Sequence, residues 1–194
     1  AYLAGASTRN ELILNFPQPT RLPLGKQRVQ SIRKLLRIVK DTYDLDLDAF
    51  IGEVARAASV EWTPEIEHGL ANQSLMTKNE VLELARTMDI GSHTRSHRVL
   101  DTLRPDRLQD ELLGSRLELE EWIGQPVRAV SYPVGKTIRD KPLILDAVRE
   151  AGYEIGFAAG GGSNHLDRRS HRFDLSRISI DRDVGVAEFA GLLL

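Results

Sequence analysis

The sequence predicts an α/β fold with a parallel sheet. Short apolar segments bounded by Gly and Pro alternate with stretches of helical periodicity, and the helical stretches are long enough to serve as crossover connections. Composition agrees: 41% hydrophobic and 28% charged residues in 194 suffice to bury a core, and one domain is the first expectation for that length.

In chain order, Tyr2 to Ala6 is short and apolar and reads as the end of a buried strand running into the loop Ser7-Thr8-Arg9-Asn10. Pro17, Pro19 and Pro23 keep the next stretch out of helix. From Arg28, the residues Val29, Ile32, Leu35, Leu36 and Val39 recur at spacings of three and four, the apolar face of an amphipathic helix, with Arg33, Lys34 and Lys40 outside. A second helix covers Leu47 to Ala58. Glu61 to Ser74 shows no clear period and reads as irregular. Thr77 is placed as an N-cap with Glu80 in capping-box position, opening a helix through Met88 with Val81, Leu82 and Leu84 inside.

Asp89 to Ser92 is too short for a helix and is predicted to be a strand. Arg104-Pro105 opens a helix with Leu108, Leu112, Leu119 and Trp122 at helical spacing, stopped by Gly124. Val127 to Tyr132 is the clearest strand and ends at Pro133. Pro142 to Glu150 is a helix stopped at Gly152, followed by strands at Tyr153 to Ala159 and Ser176 to Ile180 and a helix at Val186 to Leu193. In such an architecture, sites collect at the carboxyl ends of strands.

Several function classes drop out early. With 26 Lys plus Arg against 28 Asp plus Glu, the formal net charge of -2 offers no concentrated basic face, so nucleic acid is not an expected partner. Zero Cys excludes disulfide scaffolds, thiolate metal sites and a cysteine nucleophile. No apolar run reaches the roughly 18 residues of a membrane span. Gly160-Gly161-Gly162 lacks the Gly-Lys-Ser/Thr of a phosphate loop.

The feature that carries chemistry is Ser92-His93-Thr94-Arg95-Ser96-His97, directly after a predicted strand. Two His four residues apart lie on one side of a helical turn, where both imidazoles reach one divalent ion. With 5 His in the chain, roughly 0.13 such pairs are expected by chance, so spacing alone is a moderate signal, and two surface His are the competing reading. A third ligand is needed. Asp89 and Asp101 each lie four residues from one His, but helix capping or solvation accounts for both, and no vicinal Asp pair occurs. His165 and His171 lie in or beside the Gly- and Arg-rich stretch containing Arg168, Arg169 and Arg172. Either His could serve as a general acid, and the arginines could meet an anionic polymer, while a solvated loop explains all of them as well. His68 has no assigned role.

These residues, taken in order, resemble the polysaccharide deacetylase family, the NodB homology domain. The resemblance rests on Met76-Thr77, on Asp89 to His97 with Leu100, and on Ser131-Tyr132-Pro133-Val134-Gly135. It continues through Glu118-Leu119-Glu120 into Ile123-Gly124, Ala151-Gly152-Tyr153 and Ser176-Arg177-Ile178. It covers roughly residues 75–194, with 1–74 matching loosely as a strand plus a variable helical insertion of a single partial domain.

The resemblance implies a deformed parallel (β/α) barrel, incomplete at the N-terminus, and a metal-dependent hydrolase removing acetyl groups from N-acetylated polysaccharides or oligosaccharides. It implies a divalent metal, zinc first, with His93 and His97 as imidazole ligands. Tyr132 and Pro133 would line the sugar groove, and the Val134 backbone N–H would sit where the family supplies an oxyanion donor. The family's Asp-Asp motif, source of the base and the third ligand, is absent. It is expected upstream of Ala1, and the chain is expected to be inactive alone. Ser131 and Val134 replace an Arg and an aromatic residue common in the family, and Leu175-Ser176-Arg177 stands where a Leu-x-His motif is usual. The rival readings are a catalytically dead carbohydrate-binding barrel and an unrelated α/β interaction domain. Polymeric substrates make export an expectation of the family, although the residues at hand carry no targeting segment.

Overall fold

The computed structural model describes residues 1–160, 164, 171–178, 180 and 184–192, which form two compact units, Ala1–Glu80 and Val81–Leu194. Each unit has its own apolar core. No helix among the described residues is long and apolar enough to cross a membrane.

In the first unit, Tyr2–Ala6 is a short helix, α1, rather than the expected strand end. Five residues are too few for periodicity to separate the two forms, and Leu and Ala favour helix. The Arg28 guanidinium donates to the carbonyls of Ala4 (2.5 Å), Gly5 (3.0 Å) and Ser7 (2.9 Å), satisfying the exposed helix end that the sequence left open. The proline-rich stretch forms an antiparallel hairpin, β1 (Glu11–Leu14) with β2 (Thr20–Pro23), in which Leu12 faces Leu22. Alternation buries Leu12, Leu14 and Leu22.

Helix α2 (Arg28–Asp41) and helix α3 (Leu47–Ala58) lie where periodicity put them. The inner face of α2 is narrower than predicted, since Leu35 is buried while Val29 is 58% and Leu36 43% exposed. Asp46 caps α3 by accepting the Ala49 N–H at 2.9 Å, and Ser59 closes it in the left-handed region at φ 52°.

The stretch expected to be irregular is helix α4, Pro64–Ser74. It buries none of its residues, so no hydrophobic period marks it. Its start is set by local chemistry instead: the Thr63 hydroxyl accepts the Ile66 N–H, Pro64 opens the first turn, and Glu65 and Glu67 complement the helix dipole. Helix α5 (Lys78–Leu84) forms the predicted capping box, with the Thr77 N–H donating to Glu80 (2.6 Å) and the Glu80 N–H to Thr77 Oγ1 (3.4 Å). It stops at Leu84, one turn short of Met88.

In the second unit, the segment 89–92 is no strand but a single parallel bridge, Ser92 to Val130. The next helix is continuous in space but not uniform: α6 (Pro105–Gln109) runs through one π turn, Asp110–Gly114, into α7 (Ser115–Ile123), capped by Gly124 at φ 67°. Strand β3 (Ala129–Ser131) is shorter than the expected Val127 to Tyr132. It pairs in parallel with β4 (Ile155–Ala158), which pairs in parallel with β5 (Leu175–Ser176). Helix α8 (Pro142–Glu150) is the crossover between β3 and β4 and has the predicted bounds. Strand β5 ends before Arg177, so the expected run to Ile180 is not seen in its described part. Helix α9 is Val186–Leu192. Leu108, Leu112, Val127, Val130, Val148 and Tyr153 form the centre of this core.

Candidate metal centre

The Ser92 bridge fixes where the His segment leaves the sheet. Ser92 N–H donates to Ala129 O and Ser131 N–H to Ser92 O, both at 2.8 Å, so residue 93 emerges at the carboxyl end of β3. The two His do not lie on a helical turn as their spacing suggested. Residues 93–97 form a loop in which Thr94 (φ 65°) and His97 (φ 57°) both take left-handed backbone conformations. That loop still brings the rings together: the His93 and His97 centroids are 4.8 Å apart, edge to face at 72°. Both residues are exposed.

The tautomer of His93 follows from its partner. His93 Nδ1 lies 2.6 Å from Ser131 O, and a carbonyl oxygen only accepts, so Nδ1 carries a proton, and in the neutral imidazole the free lone pair is on Nε2. An imidazole held this way is prepared as a metal donor. Among the described residues no group of three His, Cys, Asp or Glu is placed to hold an ion. Asp101 pairs with Lys141 at 3.4 Å, and Asp89 is exposed.

Below the loop, the Ser92 and Ser115 hydroxyls share a buried hydrogen bond of 2.7 Å, and Ser92 Oγ accepts the Thr94 N–H at 3.1 Å. Glu111 sits beside them, 7% exposed. Its Oε2 accepts the Arg95 N–H at 2.9 Å and the Ser96 N–H at 2.8 Å, and its Oε1 accepts the Ser96 hydroxyl. Sequence reasoning missed Glu111. The available signal was a carboxylate between Leu108 and Leu112 on an otherwise apolar helix face.

The residues expected to line a groove divide. Tyr132 is 1% exposed and lies in the core, its hydroxyl donating to Phe173 O at 2.6 Å. Burial, with Asp174 nearby, pushes its phenol far above the ordinary range, which keeps it protonated. Pro133 is buried as well. Val134 is 43% exposed and held at φ 61°, a conformation that β-branched residues rarely take. The turn is pinned from behind by Ala159 N–H to Gly135 O at 2.8 Å and by buried Asp174, which accepts Thr137 Oγ1 (2.6 Å) and Ile138 N–H (2.9 Å).

A cavity of about 440 Å³ is lined by His93, Ser131, Phe157 and Arg177. A larger one, about 650 Å³, lies at the opposite, amino ends of β3 and β4 and contains none of the predicted site residues. His171 packs on Phe173 with ring centroids 6.1 Å apart. His165, Arg168 and Arg169 lie outside the described residues.

The polysaccharide deacetylase family model matches residues 59–156, just over half of the chain. The chain belongs to the polysaccharide deacetylase family.

The Bacillus subtilis protein YxkH, assigned to the polysaccharide deacetylases by name, is 26% identical over 115 residues, 59% of this chain and 40% of that protein. Among solved structures, the Streptococcus pyogenes deacetylase PplD, in complex with acetate, matches with a TM-score of 0.54 at 20% identity over 65% of this chain and 55% of its own. BC0361, a polysaccharide deacetylase from Bacillus cereus, matches with a TM-score of 0.54 at 21% identity over 61% and 37%. The chain thus spans about half or less of the length of these relatives. Over the matched share its fold is theirs, the deacetylase type of α/β barrel, and the parallel β3-β4-β5 sheet belongs to it. Family membership removes the reading as an unrelated α/β interaction domain.

Proposed function

We propose that this deacetylase-family chain carries two ligands of a divalent-metal site, His93 and His97, in a domain that removes acetyl groups from an N-acetylated polysaccharide or oligosaccharide. The observation that carries the reading is the paired imidazoles, 4.8 Å apart, with the His93 tautomer set by Ser131 O. Two neutral nitrogen donors suit a borderline ion, and zinc is the first candidate. PplD, solved with acetate, is a deacetylase of the same fold and supports the reaction class.

When bound, such an ion supplies Lewis acidity toward water and the acetamide carbonyl. This chain's residues do the rest. Ser131 O orients the His93 ring, and the strained turn at Val134 fixes a backbone N–H as the proposed donor to the tetrahedral oxyanion, a contribution of about 3 kcal/mol. Tyr132, locked to Phe173 O, holds that turn in place and does no proton transfer. No carboxylate joins the His pair among the described residues. The family's Asp-Asp motif does not occur in the sequence, and the 194-residue chain alone is expected to release no acetate from N-acetylated oligosaccharides.

Calorimetric zinc titration of the chain tests the reading. His93→Ala and His97→Ala should each weaken binding at least about tenfold. Equal zinc affinity in wild type and both variants would refute it.

A further inference from the structure

We infer that Glu111 is the positioning residue of the His pair: a buried carboxylate on the neighbouring helix that holds the backbone of Arg95 and Ser96 and so fixes the loop presenting both imidazoles. The inference rests on the reading of His93 and His97 as metal ligands.

The loop needs an external hold. Two of its five residues, Thr94 and His97, are non-glycine residues at positive φ, and such conformations persist only where the surroundings over-determine them. Glu111 provides that hold from outside the segment. One carboxylate oxygen accepts two consecutive backbone N–H groups, at 2.9 and 2.8 Å, and the other accepts the Ser96 hydroxyl. These bonds are charge-assisted and shielded, because Glu111 is only 7% exposed. Without the carboxylate, the two N–H groups would lose their partner at one stroke.

Other contacts reach the loop singly: buried Ser92 Oγ accepts the Thr94 N–H at 3.1 Å, and Ser131 O holds the His93 ring. Arg95 pairs with Asp110 at 2.7 Å and Glu118 at 3.4 Å, but these side chains are 40–50% exposed, and solvated pairs of that sort hold little. The helix is shaped to deliver the carboxylate, since Glu111 lies in the π turn Asp110–Gly114, the widened turn that interrupts α6 and α7. Such turns concentrate at functional sites because they re-aim a side chain without ending the helix.

The test uses the full 194-residue chain as wild type, Glu111→Ala, Glu111→Gln and His93→Ala. It reads amide hydrogen exchange at Arg95 and Ser96 without metal, exchange at core amides such as Val148, and zinc affinity. Glu111→Ala should speed exchange at Arg95 and Ser96 about tenfold or more relative to the core amides. It should also weaken zinc about tenfold or more. Glu111→Gln should restore both to within about threefold, since its amide oxygen accepts both N–H groups and its NH₂ donates to Ser96 Oγ.

Unchanged exchange at Arg95 and Ser96 in Glu111→Ala overturns the inference, as does faster exchange with zinc affinity untouched while His93→Ala abolishes it. A general structural role would lift exchange at the core amides equally, and that outcome also overturns it. Zinc binding indifferent to His93→Ala refutes the metal reading instead, and loop exchange then still decides whether Glu111 holds the loop. Should Glu111→Ala not fold, Glu111→Asp, whose carboxylate is one methylene short, carries the same expectation of faster exchange at both amides.

Discussion

Gly156→Ala probes the support beneath the site. Gly156 lies in β4 opposite Val130, and an added Cβ would stand 2.8 Å from Phe173 O and run into the Tyr132 hydroxyl. Both atoms belong to the same hydrogen bond, so the methyl group has to break it. Overpacking a tight core costs about 1–3 kcal/mol. Leaving the phenol and the Phe173 carbonyl unpaired costs about 1–3 kcal/mol more. The two costs overlap, giving about 2–5 kcal/mol, or a drop of roughly 1–3 M in urea midpoint for a unit of this size. The chain has two tryptophans, Trp62 and Trp122, one in each compact unit. In a Trp62→Phe background, Trp122 fluorescence therefore reports the second unit alone. In a further Tyr132→Phe background, the same glycine substitution should cost about 1–2 kcal/mol less, because the atom it displaces is gone. An unshifted midpoint, or an equal shift with and without the Tyr132 hydroxyl, would refute the argument.

Other expectations rest on single features. Gly135→Ala places a Cβ 2.9 Å from Ala159 N at a position with φ 68°, and should destabilise the second unit by about 2–4 kcal/mol in the same urea assay. Thr63→Ala removes the side-chain cap at the start of α4, and should lower its helicity by circular dichroism at a cost of about 1 kcal/mol. Hydrogen bonds from Arg56, then from the Asn15 N–H, hold the Glu53 carboxyl down to about 2. With its folded value below its unfolded one, Glu53 adds stability above about pH 4.5 that is lost as pH falls through about 2, and Glu53→Gln should flatten acid unfolding in that window.

What the sequence revealed depended on how local the cause was. The bounds of α3 and α8 could be read because their signals are local, an apolar face in each and, for α8, Pro142 at its start and Gly152 just past its end, and the Thr77–Glu80 box formed as written. Helix α4 was missed because it buries nothing, leaving Thr63-Pro64 as its whole signature. Segment 89–92 is too short for a helix and is therefore predicted to be a strand, yet only Ser92 bridges a neighbour, and pairing is a property of both partners. At the candidate site, the spacing suggested two rings side by side on a helical turn; the rings do come together, but left-handed turns at Thr94 and His97, not a helix, bring them there. Ser131 O could not have been found, since a backbone carbonyl has no sequence signature. The burial of Tyr132 was hidden because its partner, Phe173 O, is 41 residues away.

The widened turn at Asp110–Gly114 makes chain length part of the arrangement. A π turn holds one residue more than an α turn, so deleting any one residue there would close the segment into regular helix. Everything ahead of the deletion would then rotate by about 100° and shift by about 1.5 Å relative to the residues after it. Leu108 would leave its place in the core or Ser115 would leave Ser92. A homologue shorter by one residue at this spot could keep every side chain that touches the His loop and still aim them elsewhere.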